Sequence, residues 1–157
     1  MYAPAPREPF SAPGNYPITM IQLEAKAYGP DSTPAEIQAI QARLTLLRPG
    51  VVMYREVPVP SPFQIGVFAE ALHHLTPGLD SYALIMDLSQ AKPPGGAVRE
   101  ALRGLFGAQT RLGHVAVFTG GNFIINSVAK LLLKSCGVRN LTMCKDEAEA
   151  LAVVTRG

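Results

Sequence analysis

Two glycine pairs, Gly95-Gly96 and Gly120-Gly121, are the residues of this chain best placed to handle a charged ligand. Each lies between the end of an apolar run and the start of a helical pattern. In an α/β sheet ligands bind beyond the carboxyl ends of the strands, where helix N-termini offer free N–H groups to anions. With Ser89 upstream of the first pair and Asn122 directly after the second, such turns could cradle a phosphate or a partner's carboxylate. The same glycines are also what a strand needs where it turns sharply into a helix. Cations cluster in the same stretch. Residues 97–139 carry Arg99, Arg103, Arg111, Lys130, Lys134 and Arg139 against Glu100 alone, a local balance of +5, while the whole chain is +2 and its remainder therefore −3. Arg99 and Arg103 stand four apart on one helical pattern, and Lys130 and Lys134 four apart on the next, so each pair shares a face. An acidic protein surface, a phosphoryl group or an anionic lipid headgroup would suit such a patch. A solvated helix face would carry the same residues.

Covalent and acid–base chemistry find few candidates. The sequence contains neither GxxxxGK[ST] nor GxGxxG, and nothing resembling GxSxG or HExxH. His73 and His74 fall in the last turn of a helical pattern, where cations suit the dipole. His114 opens a strand at the edge away from where α/β active sites lie. Cys136 and Cys144 occupy apolar positions, and two cysteines make neither a disulfide framework nor a zinc site. Asp87, the only acid within the central apolar runs, reads as a strand-end hydrogen-bonding residue rather than a general base. The expectation is a chain without catalytic residues, metal or cofactor.

The elements that must position these residues follow from periodicity. Ile18–Ala27 alternates apolar and polar positions, the period of a strand with one wet face. Thr33-Pro34-Ala35-Glu36 is a helix start, with Thr33 as cap, Pro34 in the first helical position and Glu36 able to reach back. Ile37, Ile40, Leu44 and Leu47 then share one face, and Pro49-Gly50 is read as the stop. Val51–Val57 reads as a strand, and Ser61-Pro62-Phe63-Gln64 repeats the capping-box device before the stripe Phe68, Ala71, Leu72 and Leu75. Tyr82–Leu88 and His114–Thr119 are continuous apolar runs, as in strands covered on both faces. They lead into helices over Ala97–Gly107 and Asn122–Cys136. A strand at Val138–Cys144 and an acidic helix start at Asp146 complete the alternation. This grammar predicts an α/β layered domain with a mainly parallel central sheet of about five strands flanked by helices.

One helix is more apolar than burial of a single stripe requires. In Asn122–Cys136, Ile125, Val128, Ala129, Leu132 and Cys136 are expected inward, while Phe123, Ile124, Leu131 and Leu133 add further apolar surface. A helix apolar on more than one face lies deep or meets a partner, here a homodimer mate or a regulatory protein.

Composition bounds the rest. The 157 residues are 48% hydrophobic and 17% charged, enough for one core without staples. A net charge of +2 gives no reason to expect nucleic acid. No apolar run approaches the length of a membrane span, and the N-terminus lacks the charged and apolar regions of a secretory signal. A cytoplasmic location is therefore expected, and membrane association is not. Five of the 14 prolines fall in the first 17 residues, so residues 1–16 read as a disordered tail before a single domain over 17–157.

From about Tyr82 to Val154 the chain resembles the STAS family, the fold of the anti-sigma-factor antagonists, and in particular its SpoIIAA-like branch of stand-alone bacterial domains. The matching features are the strand-ending Asp87-Leu88-Ser89 with its following loop and helix, the strand His114–Thr119, the helix ending in Cys136-Gly137-Val138, and Asp146-Glu147-Ala148-Glu149-Ala150-Leu151. Residues 18–80 fit only loosely. The resemblance implies a regulatory protein-interaction module and a protein partner. In the family a kinase phosphorylates a serine at the N-terminus of the helix after the Asp-Leu-Ser strand. The corresponding Lys92-Pro93-Pro94-Gly95-Gly96-Ala97 has no hydroxyl, and Ser89 lies upstream of that position. The resemblance therefore implies the binding surface without the usual phosphoacceptor. A small-ligand receptor for a nucleotide, phosphorylated metabolite or lipid headgroup at the glycine turns is the alternative.

Overall fold

A computed structural model describes residues 23–156. Its elements are α1 (Pro34–Gln41), β1 (Leu44–Arg48), β2 (Val51–Arg55), α2 (Pro62–Leu75), β3 (Tyr82–Asp87), α3 (Gly96–Ala108), β4 (Leu112–Phe118), α4 (Phe123–Ser135), β5 (Asn140–Cys144) and α5 (Glu147–Thr155). Among the described residues the fold is α/β, with five helices and a five-stranded, mostly parallel sheet. The strands lie in chain order, β1 antiparallel to β2 and the other neighbours parallel.

Helix starts form where side chains satisfy the free amides of the first turn. Thr33 accepts from Glu36 N, and the Glu36 carboxylate accepts from Thr33 N at 2.8 Å, a complete capping box. Ser61 accepts from Gln64 N at 3.1 Å, but the Gln64 side chain does not return to the cap. It is fully buried and turns toward the core instead. Asp146 caps α5, accepting from Glu149 N.

The first expected helix is shorter than its apolar spacing suggests. It ends at Gln41, and Leu44 and Leu47 belong to a strand. Pro49-Gly50, read as a helix stop, is the turn of a hairpin between β1 and β2, with Leu44 opposite Tyr54 and Leu46 opposite Val52. Gly50 has φ +81°, and proline followed by glycine at positive φ is the chemistry of a type II turn. The strand expected at 18–27 is absent from residues 23–27, where Lys26 N instead closes a turn on Glu24 O. Residues 18–22 and the expected tail over 1–16 lie outside the described residues.

Helices α2, α3 and α4 cover one face of the sheet. Phe68 and Leu72, Val98 and Leu102, and Ile125 and Leu133 pack there on Val52, Tyr54, Leu84, Met86, Val115 and Val117. On the opposite face α5 contributes Ala150 and Val154 against Met53, Ile85, Ala116 and Phe118. Consecutive parallel neighbours joined each time by a helix on the same face are the arrangement that uniform right-handed crossovers produce. All strand-to-helix turns from β2 onward therefore emerge at one carboxyl edge.

Candidate functional site

At that edge β3 and β4 run on together, with Leu88 N donating to Phe118 O at 2.9 Å. Asp87 gathers the charged groups. Its Oδ1 accepts from Ser89 N at 3.0 Å and Ser89 Oγ at 2.6 Å, and its Oδ2 accepts from Arg55 Nη1 at 2.6 Å. Arg55 Nη2 reaches Glu147 Oε2 at 3.3 Å, tying β2 to the start of α5. Arg43, Arg55, Glu56, Asp87, Ser89 and Gln90 enclose a polar pocket of about 120 Å³. Asp87 is thus a strand-end acceptor whose two oxygens are both engaged.

The two glycine pairs differ in kind. Gly120 and Gly121 have φ of +65° and +84°, inside a turn closed by Asn122 N on Thr119 O. A Cβ on Gly120 would lie 3.2 Å from Ser89 Cβ, so β4's turn is pressed against the end of β3. Asn122 caps α4 through Ile125 N at 3.1 Å. Gly95 sits at ordinary extended φ as the N-cap of α3, which has no side-chain cap. A Cβ on Gly95 or Gly96 would meet nothing within 4 Å.

The cations are not one uniform patch. Arg103 pairs with Glu100 at 3.1 Å across one turn, which leaves less of its charge for a partner. Arg99 has no acidic partner among the described residues, and its Nε donates to Pro94 O at 3.0 Å. Lys130 and Lys134 are exposed on α4, likewise without an acidic partner among the described residues. Beside them Phe123, Ile124 and Leu131 are 80%, 67% and 72% exposed. Leu133, expected with them, is 3% exposed and belongs to the core. Val128 and Leu132, expected inward, are half-buried and line a cleft, Leu132 also packing against the core.

That cleft, between α3 and α4, and the buried group beside it were not anticipated. Glu56, 8% exposed, follows β2 and lines both the cleft and the polar pocket. Its Oε1 accepts from Tyr54 OH and from Val57 N at 2.9 Å. Tyr54 OH in turn accepts from Gln64 Nε2 at 2.6 Å. Burial raises the Glu56 pKa above the usual carboxylate value, opposed by the hydrogen bonds from Tyr54 and Val57. Burial, reinforced by the Glu56 charge, pushes Tyr54 well above an ordinary phenol. Gln64 Oε1 is buried without a hydrogen-bond partner among the described residues. The signal in the sequence was an acid next to an apolar run, Val51-Val-Met-Tyr-Arg-Glu-Val57. An acid there is either paired internally or functional.

No family model, no curated protein and no solved structure matches the chain. What the site can do therefore rests on its own chemistry. Burial raises the pKa of both Cys136 and Cys144, which disfavours the thiolate a nucleophile needs. His114 Nε2 lies 2.7 Å from Thr142 Oγ1 of the neighbouring strand, a half-buried pair between β4 and β5. No cluster of three potential metal ligands occurs among the described residues, and none of their helices is long and apolar enough to cross a membrane.

Proposed function

We propose that this chain is a non-catalytic regulatory interaction module of the STAS type, similar to the anti-sigma-factor antagonists of the SpoIIAA-like branch. The observation that carries the reading is the run β2–α2–β3–α3–β4–α4–β5, with parallel strands in chain order and every crossover helix on one face. A hairpin strand precedes this run, and α5 closes the other face. The Asp87-Leu88-Ser89 segment stands at the end of β3, immediately before the loop that leads into α3.

The partner-binding surface is the loop 89–97 with the outer faces of α3 and α4. Arg99, Lys130 and Lys134 supply positive charge for an acidic partner, and Phe123, Ile124 and Leu131 supply apolar area beside it. The uncapped N-terminus of α3 presents amides where the family carries its phosphoacceptor, so a partner's acidic side chain takes the place of a phosphate. Ser89 keeps its hydroxyl on Asp87 and does not substitute for the missing serine.

The test is capture by the tagged full chain from its own cells, repeated with Arg99→Glu. Arg99 is exposed and, among the described residues, bonded only through Nε, so reversal leaves the fold intact by circular dichroism. Loss of the captured protein in the variant supports the surface. Equal capture by the folded variant removes α3 from it.

A further inference from the structure

The cleft between α3 and α4 has about 50 Å³ of free volume and opens at the carboxyl edge of the sheet. Val98 and Leu102 form one wall, Val128 and Leu132 the other, and Met86 and Leu88 the floor. It stays open because α3 packs on α2 rather than on α4. Its mouth is cationic. Lys92 lines it, and Arg99, next to the lining residue Val98 but not itself in the lining, is tied by Nε to the carbonyl of Pro94, which is part of the wall. Neither has an acidic partner among the described residues, and the terminal guanidinium nitrogens of Arg99 remain available. Helix α3 starts just after the lining residue Pro94, and its N-terminus has no side-chain cap. Glu56, the one carboxyl among the lining residues, is nine-tenths buried, with its Oε1 taken by Tyr54 OH and Val57 N.

A dry throat behind a positive mouth matches one ligand chemistry. We propose that this cleft binds a single-chain anionic amphiphile, its alkyl tail between α3 and α4 and its carboxylate or phosphate head at Lys92, Arg99 and the start of α3. A cavity of about 150 Å³ is what admits a benzene ring, so 50 Å³ takes the end of a slender chain and not a ring. The head sits where Coulomb attraction and helix amides act together. The head shares Arg99 and the start of α3 with the surface proposed above, but its binding requires no protein partner and is read on the chain alone.

The experiment is a thermal-shift and amide NMR titration of the full chain with octanoate, octyl phosphate, octanol and octylamine. The two anions bind, octanol binds at least about fivefold more weakly, and octylamine binds least. Whichever anion binds more tightly identifies the head as carboxylate or phosphate. Each methylene added between hexanoate and octanoate tightens binding about threefold to fourfold. The amide signals of Val98, Leu102 and Val128 move. The double variant Lys92→Glu/Arg99→Glu, confined to exposed side chains, weakens octanoate about fivefold or more and leaves octanol unchanged. Val128→Trp, at a half-buried position, blocks the tail and abolishes both; if it fails to fold, the charge variant decides alone. The proposal is overturned by equal binding of octanol and octanoate, by indifference to charge reversal, by no binding at millimolar concentration, or by signals that move only around Phe123 and Leu131.

Discussion

The crossing from β4 to α4 closes on itself: Asn122 N bonds Thr119 O, both glycines take positive φ, and the Asn122 side chain caps the helix. The crossing from β3 to α3 runs through Leu88–Gly95, includes Pro93 and Pro94, and enters its helix through a glycine with no side-chain cap. Backbone geometry requires Gly120 and Gly121 but has no such hold on Gly95 and Gly96. A glycine explained by its φ needs no ligand to explain it. The proposed recognition surface is therefore centred on the start of α3, whose helix has no side-chain cap and whose Arg99 has no acidic partner among the described residues, and the turn before α4 is a structural brace for the end of β3.

The ways to break this contrast differ in size. The largest effect lies beneath the open crossing, at Glu56. Glu56→Ala leaves Tyr54 OH and Val57 N–H buried without their acceptor and costs about 3 kcal/mol in urea unfolding. Glu56→Gln, which keeps an acceptor oxygen, costs about 1 kcal/mol. The same pair of proteins reads the titration. The folded chain holds the Glu56 proton more tightly than the unfolded chain, whose glutamate titrates near the ordinary 4.5. Its contribution to stability is therefore full below that pH and falls as pH rises through the higher folded pKa. The stability of wild type minus that of Glu56→Gln should decline above pH 4.5 and then level off. A difference that rises with pH would contradict the burial of this carboxyl.

Gly120→Ala comes next. It combines a φ of +65° with a Cβ 3.2 Å from Ser89, and about 2 kcal/mol of stability is lost. Gly95→Ala, at ordinary φ in open space, should stay within about 0.5 kcal/mol of wild type. Equal costs in thermal denaturation would erase the distinction between the crossings. Asn122→Ala removes an existing cap and costs about 1 kcal/mol. Gly95→Ser supplies a cap to α3 and adds a few tenths of a kcal/mol. The serine also occupies the amides assigned to an anion, so partner capture should weaken while stability rises.

Much of the fold was legible because local chemistry and tertiary structure agree. The caps at Thr33, Ser61 and Asp146 and the apolar runs of β3 and β4 mark elements the structure contains. The β1–β2 hairpin was hidden because Pro49-Gly50 ends a helix and turns a hairpin equally well. Pairing across the sheet decided between them, and sequence spacing cannot show that. Of the site, the glycine turns and the free cations were visible, whereas their inequality depends on φ and on Glu100, which neutralises Arg103. The Asp87–Arg55–Glu147 chain joins residues far apart in sequence, and the cleft exists only because of how far α3 stands from α4. Neither leaves a periodic trace.

The proposed recognition surface lies on the α3 side of the carboxyl edge. Native mass spectrometry tests it most directly, on the full chain gently purified from its own cells as wild type and as Arg99→Glu. The expected result is a protein-sized added mass on the wild type that is absent from the folded variant. A wild type that carries no protein partner, or a partner retained equally by Arg99→Glu, would contradict it.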